Sequence, residues 1–286
     1  MSAIRVVPRL ERDLLGEGPL WSSRENALFW VDICGCAVQR LSLADDGVTR
    51  WSLPEMIGWV IERQDAPGFI AGLASGFAEL SLEPVTITHI VDPEPQRPGN
   101  RLNDAKADTQ GRIWAGSMPM AADRADGALY RFDVDRRVTQ VDTGYTIANG
   151  PALSADENYL YHTDSALGCI YRFRLQADGT LANRTVFIRF ESGWGVPDGM
   201  TIDRQGGLWV AHWGAGLISR FHEDGRLDRH IELPASQIAS CAFAGADLDR
   251  MFVTSAAQGA EHEPHGGALF EVQTGMRGFA PNRFGG

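Results

Sequence analysis

The stretch that decides the fold is Ala27-Leu28-Phe29-Trp30-Val31, an apolar strand that returns as Arg112-Ile113-Trp114-Ala115-Gly116. Four further copies share its apolar character: Gly68-Phe69-Ile70-Ala71-Gly72, Tyr159-Leu160-Tyr161-His162-Thr163, Gly207-Leu208-Trp209-Val210-Ala211 and Arg250-Met251-Phe252-Val253-Thr254. Successive copies begin roughly 40 to 48 residues apart, which is the length of a four-stranded propeller blade. The spacing predicts an all-β fold, a six-bladed β-propeller with four-stranded antiparallel blades that forms a single domain over residues 1–286.

The segments between these copies favour more strands and turns. Ala128–Phe132 and Cys169–Phe173 alternate and are rich in aromatic residues, as half-buried strands are. No sustained helical period and no linker divides the chain. A ring of six blades must join its ends, and we expect the segment Ile4–Leu10 to supply the outer strand of the last blade.

Composition excludes several classes of partner. The 286 residues include 44% hydrophobic side chains and 32 glycines, and 26 basic against 37 acidic residues give a net charge of -11. No basic cluster suited to phosphates occurs, so nucleic acid is not an expected partner. The sequence shows neither a secretory leader nor eighteen consecutive apolar residues. We expect a cytoplasmic protein, monomeric or weakly homo-oligomeric, that acts on a small molecule and not at a membrane.

Four cysteines, Cys34, Cys36, Cys169 and Cys241, are few for this length. Only Cys34 and Cys36 are close in sequence, and a zinc site would need a second such pair. We therefore expect free thiols, which agree with a reducing cytoplasm.

Four polar residues open the innermost strands of four blades. Glu17, Asn103, Asn149 and Asp198 each precede the aromatic residue of the following strand by roughly 11 to 13 positions. Since innermost strands line the channel of a propeller, residues at the same position in different blades converge at one mouth. Each site taken alone could be a turn, because glycine or proline accompanies most of them. Shared register in four blades favours a functional site.

Two carboxylates and an amide oxygen form a hard, oxygen-only ligand set. Such a set suits Ca²⁺, Mg²⁺ or Mn²⁺, with water in the remaining positions. A metal with exchangeable waters can polarise a substrate carbonyl and lower the pKa of bound water. The pattern therefore indicates a metal site capable of hydrolytic chemistry.

The chain resembles the gluconolactonase/regucalcin family, also called the senescence marker protein family, over nearly its whole length. The blocks that carry the resemblance are Gly16–Trp21, Arg101–Asp104, Gly111–Met118, Asn149-Gly150, Tyr161–Ser165, Pro197–Met200 and Ser240–Phe243. The resemblance implies a six-bladed propeller that hydrolyses a sugar lactone, an aldonolactone, to its aldonic acid in carbohydrate metabolism. It implies one divalent ion, Ca²⁺ first, with Mn²⁺, Zn²⁺, Mg²⁺ or Fe²⁺ as alternatives.

The resemblance also assigns roles. Glu17, Asn149 and Asp198 would bind the metal, and Arg101 and Asn103 would hold the substrate. Asp198 would be the catalytic residue, either accepting the proton of the attacking water itself or acting through the metal, and the sequence leaves both routes open. No G-x-S-x-G elbow suggests a covalent nucleophile.

One departure concerns substrate choice. Some relatives carry an acidic residue facing the substrate where this chain has Pro119-Met120-Ala121-Ala122. Loss of that acceptor at Ala121 favours a different sugar, a five-carbon lactone or a 6-deoxy lactone. Two other functions stay open at this point: an organophosphate or aryl-ester hydrolase on the same fold, and a non-enzymatic calcium-binding regulatory propeller.

Aromatic and histidine side chains need separate interpretation. Trp59, Trp194 and Trp213 are possible walls for a sugar ring, although tryptophan in a blade is more often core. His162 and His212 resemble acid/base residues, but we interpret them as structural or supporting groups.

Overall fold

The computed structural model describes residues 3–286, which form 24 β-strands and one short 3₁₀ helix, Ser165–Leu167. The strands in chain order are β1 (Ile4–Val6), β2 (Gly16–Ser22), β3 (Ala27–Asp32), β4 (Ala37–Ser42), β5 (Val48–Ser52), β6 (Ile57–Glu62), β7 (Phe69–Leu73), β8 (Gly76–Leu82), β9 (Val85–Val91), β10 (Asn100–Ala107), β11 (Ile113–Pro119), β12 (Gly127–Phe132), β13 (Val138–Tyr145), β14 (Ala148–Leu153), β15 (Tyr159–Asp164), β16 (Cys169–Leu175), β17 (Leu181–Arg189), β18 (Val196–Ile202), β19 (Leu208–Trp213), β20 (Leu217–Phe221), β21 (Leu227–Glu232), β22 (Ile238–Ala244), β23 (Arg250–Ser255) and β24 (Leu269–Val272).

These strands form six four-stranded antiparallel sheets, each made of neighbours in sequence. Blades 1 to 5 are β2–β5, β6–β9, β10–β13, β14–β17 and β18–β21. Blade 6 joins β22, β23 and β24 to β1, whose Ile4 lies opposite Val272. The prediction of a six-bladed propeller is confirmed, and the N-terminal segment closes the ring as expected.

The recurring apolar stretch is the second strand of each blade. β3 and β7 are buried at every position, so they read as continuous apolar runs. The outermost strands are different, since β13 and β17 expose much of their length to solvent. Only the inner half of each blade is therefore strongly apolar. This explains why the sequence shows one clearly apolar strand per blade and weaker patterns for the other strands.

The hydrophobic core lies between neighbouring blades. Six clusters of buried side chains each join adjacent sheets, and aromatic rings bridge several of these interfaces. The rings of Phe29 and Phe69 meet edge to face at 5.0 Å between blades 1 and 2. Those of Phe77 and Phe132 stack at 4.7 Å between blades 2 and 3. Each blade thus depends on both neighbours for burial.

Buried aspartates attach two of these strands to their turns. The Asp108 carboxylate accepts a hydrogen bond from Trp114 Nε1 at 2.9 Å, and that of Asp203 accepts one from Trp209 Nε1 at 2.8 Å. Arg112 and Arg220 pair with the same carboxylates. Buried charge is tolerated here because each aspartate is fully hydrogen-bonded.

Residues 273–286, which we call the C-terminal strap, cross one end of the propeller. Gly278 N donates to Leu248 O in blade 6, and Phe284 N donates to Glu62 O in blade 2, both at 2.8 Å. Phe284 is fully buried and stacks on Phe132 at 5.1 Å. The strap therefore covers the end of the channel where the innermost strands finish.

Two further properties concern the described residues. Across residues 3–286, no helix is long and apolar enough to span a membrane. All four cysteines are free, and Cys34 and Cys36 lie half-buried in the turn after β3 and not in a strand.

Candidate functional site

The innermost strand of every blade contains a β-bulge near its beginning. The strands β2, β6, β10, β14, β18 and β22 contact one another in a closed ring around the channel. Their bulges fall between Glu17/Leu20, Ile57/Trp59, Leu102/Ala105, Asn149/Pro151, Pro197/Met200 and Ile238/Ser240. A bulge adds one residue and re-aims the side chains beside it. The chain can therefore direct polar groups into the channel at one level.

The four residues predicted from shared register lie in or beside these bulges. Glu17, Asn103, Asn149 and Asp198 are each 4% to 6% exposed. We call the end of the channel that carries them the upper mouth. Blades 2 and 6 have Gly58 and Ala239 at the corresponding level, so only four blades contribute a long polar side chain.

A directed chain of hydrogen bonds connects three blades at the upper mouth. Arg101 Nη1 donates to Asn103 Oδ1 at 2.6 Å, and Asn103 Nδ2 donates to Asn149 Oδ1 at 2.7 Å. Asn149 Nδ2 then donates to Ser165 Oγ at 3.0 Å, whose hydroxyl donates to Pro197 O at 2.6 Å. The chain fixes the orientation of both amides and ends beside Asp198.

The carboxylates of the upper mouth are crowded and poorly solvated. Burial, followed by the charge of Asp104, raises the pKa of the Glu17 carboxyl to about 8. Burial, followed by the charges of Glu17 and Asp104, raises the pKa of Asp198 well above its usual range. The charge of Lys106, followed by that of Arg101, acts in the opposite direction and lowers the pKa of Glu17. Three acids therefore share a site in which the only nearby positive charges of residues 3–286 that act on Glu17 are those of Lys106 and Arg101.

These observations fit a bound divalent cation. Asp198 Oδ1 and Asp104 Oδ2 are buried and have no hydrogen-bond partner, which is costly for a carboxylate. A dication would satisfy such an oxygen and offset the repulsion that raises the pKa values. Among residues 3–286, no cluster of three or more histidine, cysteine, aspartate or glutamate side chains is arranged to hold a metal. The predicted set contains only two such side chains and an asparagine.

The sequence interpretation missed two residues of the upper mouth. Asp104 is 2% exposed, and its Oδ1 accepts from Ala105 N at 2.7 Å. Ser165, which lies directly after β15, links the Asn149 amide to the next blade. The signal for Asp104 was its place beside Asn103 in a bulge, where two successive side chains can both turn inward.

The tryptophans and histidines occupy different surroundings. Trp59 is 1% exposed and packs edge to face on Phe77, so it is core and not a wall of the upper mouth. Trp194 is half-buried beside His212, whose Nδ1 lies 2.9 Å from Trp194 O. His162 is fully buried against Tyr145, and burial lowers its pKa to about 3.

The turn after β11 forms part of the rim at the upper end of blade 3. Met120 and Ala121 are exposed in the turn that follows Pro119. Neither offers a hydrogen-bond acceptor on its side chain.

Comparison with known proteins gives consistent results. The chain is 33% identical to regucalcin from Danio rerio over 297 residues, which covers 100% of both chains. It is 34% identical to L-arabinolactonase from Azospirillum brasilense, covering 96% of this chain and 93% of that one. Among solved structures, a calcium-binding protein, regucalcin, from Agrobacterium tumefaciens superposes with a TM-score of 0.92 at 27% identity, covering 99% and 97%.

The family model described as the SMP-30/Gluconolactonase/LRE-like region matches residues 15–257. This range begins at β2 and ends after β23, so it includes all six innermost strands and every residue of the upper mouth named above. The chain therefore belongs to the SMP-30/gluconolactonase/LRE-like family.

Proposed function

We propose that this protein is a metal-dependent sugar lactonase that hydrolyses an aldonolactone to the corresponding aldonic acid. The observation that carries the proposal is the buried, unpartnered Oδ1 of Asp198 beside Glu17 at the upper mouth. Arg101 and Asn103 on β10 belong to the hydrogen-bonded chain that ends beside Asp198, and the charge of Asp198 acts on the Arg101 guanidinium. The likeness to an L-arabinolactonase supports lactone hydrolysis as the reaction class.

Glu17, Asn149 and Asp198 are the residues that would hold the metal. When bound, a divalent ion supplies Lewis-acid polarisation of the substrate carbonyl. The hydrogen bond from Asn103 Nδ2 and the one to Ser165 hold the Asn149 amide in a single orientation. Asn149 therefore presents its oxygen without having to reorganise.

Asp198 would accept the proton of the attacking water. As the water oxygen bonds to the lactone carbonyl carbon, that proton moves to the carboxylate. The ring carbon–oxygen bond then breaks, and the departing ring oxygen takes the proton, which leaves the hydroxy acid. Arg101 would stabilise negative charge on the carbonyl oxygen and orient the lactone.

The rim favours a small or deoxygenated sugar. Met120 and Ala121 replace an acceptor with apolar side chains, so a substrate hydroxyl placed there would lose its hydrogen bond. We infer a preference for five-carbon and 6-deoxy aldonolactones over glucono-1,5-lactone. A panel in which glucono-1,5-lactone alone is hydrolysed would refute this preference.

The test is a pH-indicator assay of acid release by metal-stripped protein, with Ca²⁺, Mn²⁺, Zn²⁺, Mg²⁺ or Fe²⁺ restored separately. Wild type and Asp198→Ala are compared over the lactone panel. Asp123→Asn is the matched control, because Asp123 is an exposed carboxylate in the turn after β11 and, among residues 3–286, pairs only with its neighbour Arg124. Metal-dependent activity that disappears only in Asp198→Ala supports the proposal. Metal binding without hydrolysis of any lactone would favour a calcium-binding role, and faster aryl-ester or phosphotriester cleavage would favour the other hydrolase.

A further inference from the structure

A cavity of about 370 Å³ fills the lower part of the channel, at the end opposite the upper mouth. Its walls begin just below the bulges, at Gly18 and Trp59, and continue along the later residues of the innermost strands, among them Ile61, Ile202 and Phe243. We call it the lower cavity. Its volume falls within the range of about 300–1,000 Å³ that is usual for small-molecule sites.

The C-terminal strap forms the floor of the lower cavity. Phe279, Ala280, Pro281 and Asn282 all line it. Asn282 Nδ2 donates to Ala107 O at 3.2 Å, which ties this part of the strap to β10. Phe279 is 45% exposed although it faces the cavity, so a large apolar ring lies at the boundary with solvent.

The lower cavity contains the only lysine of the protein. All other basic residues are arginine, and Lys106 lies near the end of β10, half-buried, on the cavity wall. Within residues 3–286 its ammonium makes no side-chain hydrogen bond and no ion pair within 4.0 Å. The ammonium can therefore offer up to three donors to a ligand in the cavity.

The other charged group of the cavity is already satisfied. Glu157 accepts hydrogen bonds from Thr109 N at 3.0 Å, from Thr109 Oγ1 at 2.5 Å and from Asn282 Nδ2 at 3.1 Å. These bonds occupy most of its acceptor sites and hold it at the rim. Lys106 is therefore the charged group of the cavity that makes no ion pair within 4.0 Å among residues 3–286, although its charge acts on Asp104 and Glu17 higher in the channel. The lining around it is mainly apolar.

We propose that the lower cavity is a second binding site, separate from lactone hydrolysis, for an apolar monocarboxylate whose carboxylate contacts Lys106 Nζ. The hydrocarbon body would pack against Val60, Ile202 and Phe243. Aldonic acids match this site less well, because most of its lining is apolar and hydroxyl groups placed there would lose hydrogen bonds. A neutral hydrocarbon would offer no acceptor to the Lys106 ammonium.

The single lysine makes a direct test possible. Reductive methylation with ¹³C-formaldehyde labels only Lys106 and the N-terminal amine, and it preserves the charge of the lysine. Sodium octanoate added to the labelled protein should move the Lys106 signal saturably and leave the N-terminal signal in place. Octan-1-ol and sodium gluconate, which each lack one of the two required features, should bind at least about ten-fold more weakly.

Calorimetry on unmodified protein gives the second measurement. Octanoate should bind wild type and Lys106→Arg and should lose at least about ten-fold in affinity for Lys106→Met, which removes the charge but keeps an apolar stem. Phe279→Ala should also weaken octanoate binding, since it removes a wall without disturbing the buried core. Equal binding of gluconate, or absence of saturable octanoate binding to wild type, would overturn the proposal. None of these readouts depends on lactone hydrolysis.

Discussion

The two ends of the channel are built from the same six strands and differ in almost every chemical property. At the upper mouth, the bulges turn Glu17, Asn149 and Asp198 inward, and buried acids outnumber the positive charge near them. At the lower end, β10 and β18 continue in regular pairing, and the cavity is mainly apolar with one lysine. A local change in strand geometry is thus sufficient to make a polar site at one end of an otherwise apolar channel.

The second contrast is in closure. The C-terminal strap crosses the lower end and packs Phe284 into the core between blades 2 and 3, whereas the upper mouth lies where the innermost strands begin. A site for turnover needs exchange with solvent, whereas a covered end can contribute stability. We therefore expect the upper mouth to govern activity and the lower end to govern folding, and the following predictions test that division.

The largest effect is expected at Asp198. Asp198→Asn should lower kcat/KM for the preferred lactone by about 10³-fold, because the variant loses both a metal ligand and the proton acceptor. Steady-state kinetics with saturating metal measures this, with Asp123→Asn as the control on the same face. A ten-fold effect or less would mean that Asp198 does not take part in the chemistry.

Phe284→Ala should lower the stability of the protein and leave its activity nearly unchanged, which is the reverse of the expectation for Asp198→Asn. Removing a fully buried ring that stacks on Phe132 should lower the free energy of unfolding by about 3–5 kcal/mol. The kcat of the folded fraction should stay within about two-fold of wild type, since the upper mouth is at the other end. Denaturant unfolding and kinetics below the unfolding transition give the two values. A large loss of kcat in folded protein would show that the two ends are coupled.

Metal removal should act on the upper mouth alone. Metal at 100 times its Kd should stabilise the stripped wild type by about 2.7 kcal/mol, an increment that Asp198→Asn should abolish. In stripped protein, Asp198→Asn should raise the Tm above that of wild type, because it removes one charge from a buried acidic cluster. Thermal unfolding with and without chelator tests both statements. A lower Tm for the stripped variant would contradict the proposed repulsion.

The smallest expected effect is a pH dependence of stability that comes from His162, which lies between blades and not at the upper mouth. Burial lowers the folded-state pKa of His162 to about 3, below its ordinary value of 6.5. Its contribution to stability is therefore complete above pH 6.5 and is lost as pH falls toward 3, by about 1.4 kcal/mol per pH unit.

This pH effect is best measured on the metal-saturated protein, by denaturant unfolding between pH 7 and 5. Below pH 6, the difference in free energy of unfolding between wild type and His162→Gln should shrink by about 1.4 kcal/mol for each pH unit. His222→Gln, in which an exposed histidine is replaced, should run parallel to wild type. Parallel profiles for all three proteins would show that His162 is protonated equally in the folded and unfolded states.

Much of the architecture could be predicted because it is repeated locally. The apolar second strand recurs at blade length, and Glu17, Asn103, Asn149 and Asp198 hold one place in their blades. The closing strand Ile4–Val6 could also be predicted, since a ring requires a partner for its last blade. Each of these features has its physical cause within about one repeat of the chain.

The sequence determined the six blades, the closing strand and the level of the polar residues, because strand periodicity and bulge-prone glycine and proline positions are local properties. Only the tertiary structure decided that Asp104 and Ser165 join the upper mouth, that Trp59 is core, and that Lys106 faces the lower cavity. It also decided the course of the C-terminal strap, which forms no strand of its own. These features depend on which residues from distant blades meet once the ring closes, and no pattern within a single repeat records those contacts.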